Sequence, residues 1–186
     1  MNIGIDIDDT ITNTFDFLMP YIAEHFKFDI KYLRENNISY MNLDEKITEE
    51  QYHDFGVKYF DKVIPNTPIK ENVCEYINKL KDIGHKIYII TARVNGEYTD
   101  AYKTSIEFLE KNNIYYDKLI CDEHKAKVCQ EENIDIMIDD SIDNCTAIKN
   151  IGKKVLLFNS KYNSKFNVDF DRVDNWKQAF EYIKGM

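Results

Sequence analysis

Residues 2–12 read Asn-Ile-Gly-Ile-Asp-Ile-Asp-Asp-Thr-Ile-Thr, and this stretch decides the fold. Its isoleucines alternate with glycine and aspartate without a helical period, which is typical of a buried strand. The strand runs into three carboxylates, Asp6, Asp8 and Asp9, followed by Thr10. Like charges a few ångströms apart repel by roughly 1–4 kcal/mol, and a hard divalent cation such as Mg²⁺ relieves that repulsion. The stretch therefore predicts a strand that ends at a cation site.

The spacing of Asp6 and Asp8 favours a shared target. Residues i and i+2 of a strand point to the same side, so both carboxylates can face one ligand where the strand opens into a loop. One carboxylate can then attack a phosphorus atom while the other handles a proton. The alternative is an acidic, solvated turn after a core strand, and this stretch alone leaves both interpretations open.

Composition limits the class of protein. The chain has 186 residues, of which 44% are hydrophobic and 31% charged, so it is globular, with one domain and room for a small insert. A net charge of −9 argues against non-specific nucleic-acid binding. It does not exclude a small anionic substrate, because a metal ion and a few local cations can override the overall charge.

Cysteine usage and hydropathy predict the compartment. Cys74, Cys121, Cys129 and Cys145 show no CxxC spacing, so we expect reduced thiols of a cytosolic protein and no zinc site. The chain shows no basic amino-terminal region, and no apolar run approaches the ~18 residues that span a bilayer. We expect a soluble, cytoplasmic protein without a membrane partner, and the choice between monomer and homodimer stays open.

The first half of the chain has a helical pattern. Apolar residues recur at helical spacing over 13–27, where Pro20 is expected to kink or interrupt the helix. Residues 28–47 look polar and irregular, with turns at positions such as Asn42. Thr48-Glu49-Glu50-Gln51 is a capping box that opens another helix, ending before Pro65.

These patterns predict a division of the chain. Residues 14–66 form a helical insert, and residues 1–13 and 67–186 form the core. From Pro68 onward, strands alternate with helices, which predicts an α/β fold with a parallel sheet and helices on both faces. In such sheets, ligands bind at the carboxyl ends of the strands. Besides the first strand, the predicted strands cover 86–90, 119–121, 134–138 and 155–158.

The second strand ends in Thr91-Ala92-Arg93. The Thr91 hydroxyl can donate a hydrogen bond to a phosphoryl oxygen, and otherwise it is a threonine in a turn. Arg93 is a bidentate donor to a phosphate or a carboxylate if it points inward, and a solvated surface arginine if it does not.

A lysine and an acidic pair complete the candidate site. Lys125 opens a short helix and can neutralise both a nucleophile and a phosphate; Lys127 competes for this role, and Lys118 is a weaker candidate. Asp139-Asp140 follows an apolar strand, an expensive arrangement unless the pair meets a cation. Asp140 is the better metal ligand and Asp139 the better lysine partner, although the two roles can be exchanged. Asp143 is a further acid that can support the metal through water.

Asp6-Ile7-Asp8-Asp9-Thr10 resembles the DxDxT signature of the haloacid dehalogenase (HAD) superfamily of phosphatases, and Thr91, Lys125 and Asp139-Asp140 follow in the order of its other motifs. The resemblance implies a HAD-like three-layer α/β/α, Rossmann-like fold, and the insert is then a small C1 cap. It implies that Asp6 is the nucleophile, which becomes an aspartyl-phosphate. It also implies that Asp8 is the general acid/base and offers its backbone carbonyl to Mg²⁺.

The segments 89–93, 117–120 and 134–141 further resemble the bacterial branch of the 5′(3′)-deoxyribonucleotidase family. This implies a Mg²⁺-dependent phosphomonoester hydrolase, most simply for nucleoside or deoxynucleoside 5′-monophosphates. The implied metal ligands are Asp6, Asp8 and Asp140, with Asp139 as the second choice. The implied substrate-binding residues are Thr10, Thr91, Ala92, Arg93 and Lys125.

Two departures from the family pattern leave alternatives open. Asp9 stands where many phosphatases have glycine, and the aromatic residue expected after the nucleophile loop has two candidates, Phe15 and Phe17. Aromatic residues of the insert can stack on a base or simply form core; they are Tyr21, Tyr40, Phe55, Tyr59 and Phe60. A sugar phosphate or a 3′-phosphate end is the alternative substrate, and a receiver-like phosphate-sensing module without turnover is the alternative function.

Overall fold

The computed structural model of the chain describes residues 1–38, 43 and 47–186. Predictions that concern Tyr40 and Asn42 therefore lie outside the described residues. Within them, the strands form one parallel sheet. The strands are β1 (Asn2–Ile5), β2 (Lys86–Thr91), β3 (Lys118–Cys121), β4 (Ile136–Asp139), β5 (Lys154–Phe158) and β6 (Asp171–Val173).

The strand order places two strand ends side by side at the centre of the sheet. The order is β3-β2-β1-β4-β5-β6, so the chain builds outward from β1 on one side and then returns to start β4 on the other. Ile5 is in register with Ile89 of β2 and with Ile138 of β4. A sheet that reverses its direction of growth in this way opens a crevice at the carboxyl ends of the strands, between β1 and β4.

The helices mostly follow the predicted pattern. They are α1 (Thr14–Phe26), α2 (Ile30–Glu35), α3 (Glu49–Val63), α4 (Val73–Asp82), α5 (Ala101–Lys111), α6 (Lys125–Glu131), α7 (Ile142–Asn150) and α8 (Trp176–Lys184), with a 3-10 turn at Ile64–Asn66. The capping box is confirmed, because the Thr48 side chain and the Gln51 side chain each accept a hydrogen bond from the other residue's backbone N–H. Gly84 follows α4 with φ +94°, the left-handed conformation that glycine adopts most easily after a helix.

Helices cover both faces of the sheet. Ile3, Ile5 and Ile7 lie in a buried cluster with apolar residues of α4, α5 and α8. Ile90 and Met137 face the other way, into a cluster with apolar residues of α6 and α7. The predicted three-layer α/β/α fold is therefore confirmed.

Helices α1, α2 and α3 share a third apolar cluster, which includes Leu18, Leu33, Phe55 and Phe60. The expectation of an irregular 28–47 segment was wrong where α2 forms. Asp29 caps this helix by accepting a hydrogen bond from the Lys31 N–H at 2.8 Å, and the buried Leu33 holds it against its neighbours. Of the two effects predicted for Pro20, a kink or an interruption, the interruption is wrong, because α1 runs unbroken through this residue.

Two observations bear on the predicted compartment. All four cysteines are free thiols, two of them buried. Among the described residues, no helix combines the length and the apolar character that a membrane crossing requires.

Candidate active site

Three carboxylates from two neighbouring strands converge at the crevice. Asp6 follows β1, Asp139 is the last residue of β4, and Asp140 comes next. One oxygen from each lies within 4.8 Å of the others. The three residues are 4%, 0% and 9% exposed, respectively. The Asp6 N–H donates to the Ile138 carbonyl at 3.0 Å, so the sheet itself fixes the two strand ends together.

Lys125 lies between two of these carboxylates. Its ammonium is 2.5 Å from Asp6 Oδ1 and 2.7 Å from Asp139 Oδ2, and its side chain is 3% exposed. Lys127, the competing candidate, is 66% exposed and lies 3.8 Å from Glu131. The helical turn at the start of α6 thus aims one lysine into the site and the other into solvent.

Asp139 and Asp140 have different surroundings. Asp139 accepts hydrogen bonds from the Ser141 N–H at 2.8 Å and from the Asn144 side chain, besides its ion pair with Lys125. Within the described part of the chain, no cation or hydrogen-bond donor contacts the Asp140 carboxylate. The Asp140 backbone carbonyl is held at 2.8 Å by the Asn163 side chain. Asp139 is therefore occupied, whereas Asp140 offers free oxygens to the crevice.

The acids raise one another's pKa. Burial raises the pKa of Asp6 to about 7, and the charges of Asp139 and Asp8 add to this while Lys125 opposes it. Burial also raises the pKa of Asp140 well above its usual value, with the nearby carboxylates of Asp9, Asp139 and Asp6 contributing. The one positive charge of Lys125 thus faces three carboxylates, those of Asp6, Asp139 and Asp140.

This charge imbalance is a test of whether Mg²⁺ fits. The donor set consists of carboxylate oxygens, which this hard ion prefers. Asp140 has oxygens without a protein partner among the described residues, within reach of Asp6. One added divalent cation would neutralise the excess charge, so the residues present fit the metal.

Asp8 is held from two sides, by Arg93 after β2 and by Thr14 at the start of α1. The Arg93 Nε and Nη2 atoms donate to Asp8 Oδ2 and Oδ1 at 2.8 and 2.7 Å, and the Thr14 hydroxyl at the start of α1 donates to Oδ1 at 2.7 Å. Burial alone would raise the pKa of Asp8, but the guanidinium of Arg93, with these hydrogen bonds, outweighs it and keeps the pKa below its usual value. Arg93 thus points inward, onto a carboxylate.

Thr10 and Thr91, two of the predicted substrate-binding residues, lie below the cavity surface. Both are buried, and the cavity wall at this end of β2 is formed by the next two residues, Ala92 and Arg93. The Thr91 hydroxyl accepts a hydrogen bond from the Arg93 N–H at 3.4 Å, whereas the Thr10 hydroxyl is buried without a partner among the described residues.

Asp9 has a structural explanation. Its φ is +56°, in the left-handed region where glycine is the residue with least strain and aspartate is tolerated. Its Oδ1 accepts a hydrogen bond from the Phe15 N–H at 3.0 Å, which satisfies one free N–H at the start of α1. Aspartate at this position therefore joins the loop after β1 to the start of α1.

A cavity of about 680 Å³ opens above the carboxylates. Of the described aromatic residues considered for base stacking, Phe60 lines this cavity. Phe55 is wholly buried, Tyr59 packs against it, and Tyr21 packs against Tyr59. Phe15 also lines the cavity, and Phe17 does not. Further lining aromatics that sequence reasoning missed are Tyr98, Tyr162 and Phe166.

The segment after β5 supplies much of what was missed. Ser160, Tyr162, Asn163 and Phe166 all line the cavity. The Tyr162 hydroxyl donates to Asp16 of α1 at 2.8 Å, so this segment also contacts the insert. The sequence does contain a signal for this segment, because polar and aromatic residues directly follow a predicted buried strand. Ligand-binding residues collect at the carboxyl ends of parallel strands.

The comparisons with known proteins agree with this geometry. Residues 1–186 match the model of the family described as 5′ nucleotidase, deoxy (Pyrimidine), cytosolic type C protein. The chain belongs to this 5′-nucleotidase family. A nucleotidase of Clostridium acetobutylicum is 30% identical over 186 residues, covering 98% of this chain and 93% of the relative. A putative nucleotidase of Oceanobacillus iheyensis is 24% identical and covers 95% of each chain.

Solved structures of HAD hydrolases share the fold of this nucleotidase-family chain. A predicted phosphatase from Clostridium acetobutylicum aligns with a TM-score of 0.71 at 16% identity, covering 100% of this chain and 99% of the other. A HAD-like hydrolase from Streptococcus pneumoniae aligns with a TM-score of 0.70 at 14% identity, covering 98% and 97%. The predicted HAD phosphatase resemblance is confirmed, and the chain is an enzyme of the phosphatase and nucleotidase class, which sets aside the receiver-like alternative.

Proposed function

We propose that this member of the 5′-nucleotidase family is a Mg²⁺-dependent phosphomonoesterase for nucleoside 5′-monophosphates, deoxynucleotides included, acting through an aspartyl-phosphate on Asp6. The observation that carries the proposal is the position of Asp6. Its carboxylate contacts the Lys125 ammonium, lies within 4.8 Å of the oxygens of Asp139 and Asp140, and lines a cavity large enough for a nucleotide.

Binding of the phosphate would rest on charge neutralisation at the strand ends. Mg²⁺, when bound by Asp6, Asp140 and the Asp8 backbone carbonyl, supplies the positive charge that allows a carboxylate and a phosphate dianion to approach each other. Lys125 would stabilise charge on the phosphoryl oxygens while Asp139 holds it in place. We keep Thr91 as a proposed phosphate contact, because it ends β2 directly before two residues of the cavity wall.

The reaction would proceed in two displacements. A carboxylate oxygen of Asp6 attacks phosphorus and the bond to the leaving oxygen breaks. Because Arg93 keeps the pKa of Asp8 low, Asp8 must first take up a proton, which it then gives to the leaving oxygen, releasing the alcohol. A water molecule then attacks phosphorus, its proton passes to Asp8, and the Asp6 carboxylate is regenerated as phosphate leaves. The two steps together consume one water molecule and return both aspartates to their starting states.

The cavity supports a substrate with one phosphate and an uncharged remainder. Among the described lining residues, the arginine and lysine are Arg93 and Lys125, and each is already paired with a carboxylate. A second phosphate would meet acidic residues such as Asp143 and Glu97 instead. The aromatic part of the lining suits the flat face of a nucleobase; it comprises Phe15, Phe60, Tyr98, Tyr162 and Phe166.

We also propose that residues 14–66 act as a cap over the core formed by 1–13 and 67–186. Helices α1, α2 and α3 pack mainly on one another. Phe15, Leu18, Phe60 and Ile64 face the cavity from this side. The insert would therefore contact the part of the substrate that leaves, while the core holds the phosphate.

A panel of phosphomonoesters tests the substrate class. The purified chain is assayed for phosphate release with Mg²⁺ and with EDTA, on ribo- and deoxyribonucleoside 5′-monophosphates, 3′-monophosphates and sugar phosphates. We expect Mg²⁺-dependent release with the highest kcat/KM on 5′-monophosphates, and loss of release in Asp6→Asn. Preference for sugar phosphates or 3′-phosphates would overturn the substrate proposal, and undiminished turnover by Asp6→Asn would overturn the nucleophile.

A further inference from the structure

Arg93 uses its guanidinium on a carboxylate of the site. Nε and Nη2 reach Asp8 Oδ2 and Oδ1 at 2.8 and 2.7 Å, the planar two-bond geometry that only arginine can offer. The Arg93 side chain is 2% exposed, and its guanidinium carbon lies 5.4 Å from the centre of the Phe108 ring on α5. Arg93 is therefore fixed by burial and stacking before it fixes Asp8.

We propose that Arg93 is a positioning residue that orients the Asp8 carboxyl for proton transfer, and that Asp8 Oδ2 is the oxygen that exchanges the proton. The proposal rests on the proposed function, in which Asp8 protonates the leaving oxygen. It assigns to Arg93 an action through Asp8 in place of a direct contact with the phosphate.

The choice of oxygen follows from the hydrogen-bond count. Oδ1 accepts two hydrogen bonds, from Arg93 Nη2 and from the Thr14 hydroxyl, whereas Oδ2 accepts one, from Arg93 Nε. Among the described residues, Oδ2 is thus the oxygen with lone-pair capacity to spare. A carboxyl held by donors from two sides cannot rotate freely. Asp8 lines the cavity, and in the proposal Oδ2 is the oxygen that serves the substrate there.

A direct phosphate contact by Arg93 would break this arrangement. Two of its three nitrogens are committed to Asp8, and the third, Nη1, is buried away from solvent without a hydrogen-bond partner among the described residues. Because the side chain is 2% exposed and Nη1 does not reach solvent, the guanidinium would have to shift to bind phosphate, and that shift would disturb its two bonds to Asp8. The two roles therefore differ in what they predict for substrates with different leaving groups.

A matched pair of aryl phosphates separates the roles. The kcat/KM of phenyl phosphate and of 4-nitrophenyl phosphate is measured for the wild type, Arg93→Gln, Arg93→Lys and the exposed-arginine control Arg34→Gln. The value of kcat/KM depends only on the steps up to the first irreversible one, so the later attack of water does not affect it. Phenol needs a proton as it leaves and 4-nitrophenol hardly does, while the two substrates share a phosphate and a shape.

If Arg93 orients the acid, the kcat/KM of Arg93→Gln falls about 100-fold on phenyl phosphate and less than about threefold on 4-nitrophenyl phosphate. The larger loss lies within the range that general acid catalysis contributes. Arg93→Lys, which keeps the charge but lacks the two-bond fork, falls between, and Arg34→Gln matches the wild type. An equal loss on both substrates would overturn the proposal. A wild type without phosphomonoesterase activity would instead refute the proposed function, so the two failures are distinguishable.

A second comparison keeps the proposal testable if the Arg93 single variants have a folding defect. Asp8→Asn and Asp8→Asn/Arg93→Gln both lack the buried ion pair, and their kcat/KM on 4-nitrophenyl phosphate is compared. Equal values support an action of Arg93 through Asp8. A further loss in the double variant would show that Arg93 contacts the phosphate itself, and would overturn the proposal.

Discussion

At the scale of single residues, Asp9 shows how a departure from a family pattern becomes intelligible in three dimensions. The sequence indicated only that an aspartate stands where glycine is common. The structure adds a φ of +56° and a hydrogen bond from the Phe15 N–H. Both follow from the path of the loop between β1 and α1, which no spacing rule specifies.

Asp9 gives the first prediction. Asp9→Gly and Asp9→Ala both remove the carboxylate and its helix cap, but only alanine must keep a Cβ in the left-handed region. We expect the glycine variant to be more stable by about 1 kcal/mol. The measurement is the free energy of unfolding in urea, and an alanine variant as stable as the glycine variant would contradict it.

Lys125 gives the second prediction. Lys125→Met leaves Asp6 and Asp139 buried without the cation that both contact. Removing one partner of a buried ion pair costs roughly 3–5 kcal/mol, and we expect a loss of that order together with loss of activity. The control is Lys127→Met, which changes the exposed lysine two residues away. Similar unfolding free energies for the two variants would show that the buried cluster does not depend on Lys125.

Sequence reasoning reached some of these residues and not others, for a physical reason. A parallel sheet brings the carboxyl ends of its strands to one edge, regardless of the conformation of the loops. The sequence could therefore predict the grouping of Asp6, Lys125, Asp139 and Asp140. The partner of Arg93 could not be predicted from the sequence, because a phosphate and a carboxylate are equally good acceptors for the paired N–H donors of its guanidinium. That choice depends on where the loop after β1 places Asp8.

At the scale of elements, α8 supports the loop between β1 and α1 from a distant part of the chain. Trp176 is almost wholly buried, and its Nε1–H donates to the Thr10 carbonyl at 3.2 Å. Its ring lies 5.7 Å from that of Phe158 on β5. The carboxyl-terminal helix thus binds the loop that carries Asp6 and Asp8.

The third prediction concerns this contact. Trp176→Phe keeps an aromatic ring but leaves the buried Thr10 carbonyl without its donor, at a cost of about 1–3 kcal/mol in unfolding free energy. Far-UV circular dichroism during urea denaturation measures it. Tyr102→Phe on the exposed face of α5 is the control and should change little. A Trp176→Phe variant as stable as the control would mean that water or a loop shift satisfies the carbonyl.

Elements with strong periodicity were predictable, and short ones were not. The isoleucine-rich strands and the capped helix α3 carry their pattern locally. β6 comprises Asp171–Val173, with two charged residues and one buried valine, which is too little apolar sequence to indicate a strand. Its position is set by pairing with β5, and α2 similarly depends on packing against the insert rather than on its own six residues.

At the scale of the whole molecule, the balance between stability and function is electrostatic. Among the described residues, the fold brings the buried carboxylates of Asp6, Asp139 and Asp140 together around one lysine, Lys125, at a cost in stability when no metal is bound. A bound divalent cation would remove that cost and stabilise the native state by mass action. The unfolding temperature of the chain should therefore respond to metal binding at the site.

The fourth prediction follows. Mg²⁺ should raise the thermal unfolding temperature of the wild type in a concentration-dependent way. Without metal, Asp140→Asn should unfold at a higher temperature than the wild type, because one repelling charge is gone, and Mg²⁺ should then shift it much less. Asp82→Asn, at the exposed end of α4, should behave as wild type. An equal Mg²⁺ shift in Asp140→Asn would place the metal elsewhere.

The most direct test asks whether the phosphoryl group is transferred to Asp6. The wild type is quenched in acid during turnover of 4-nitrophenyl phosphate with Mg²⁺, and its peptides are mapped by mass spectrometry. We predict one phosphoryl group on Asp6, absent from Asp6→Asn. A phosphoryl group on any other residue, or steady turnover in Asp6→Asn, would contradict the account.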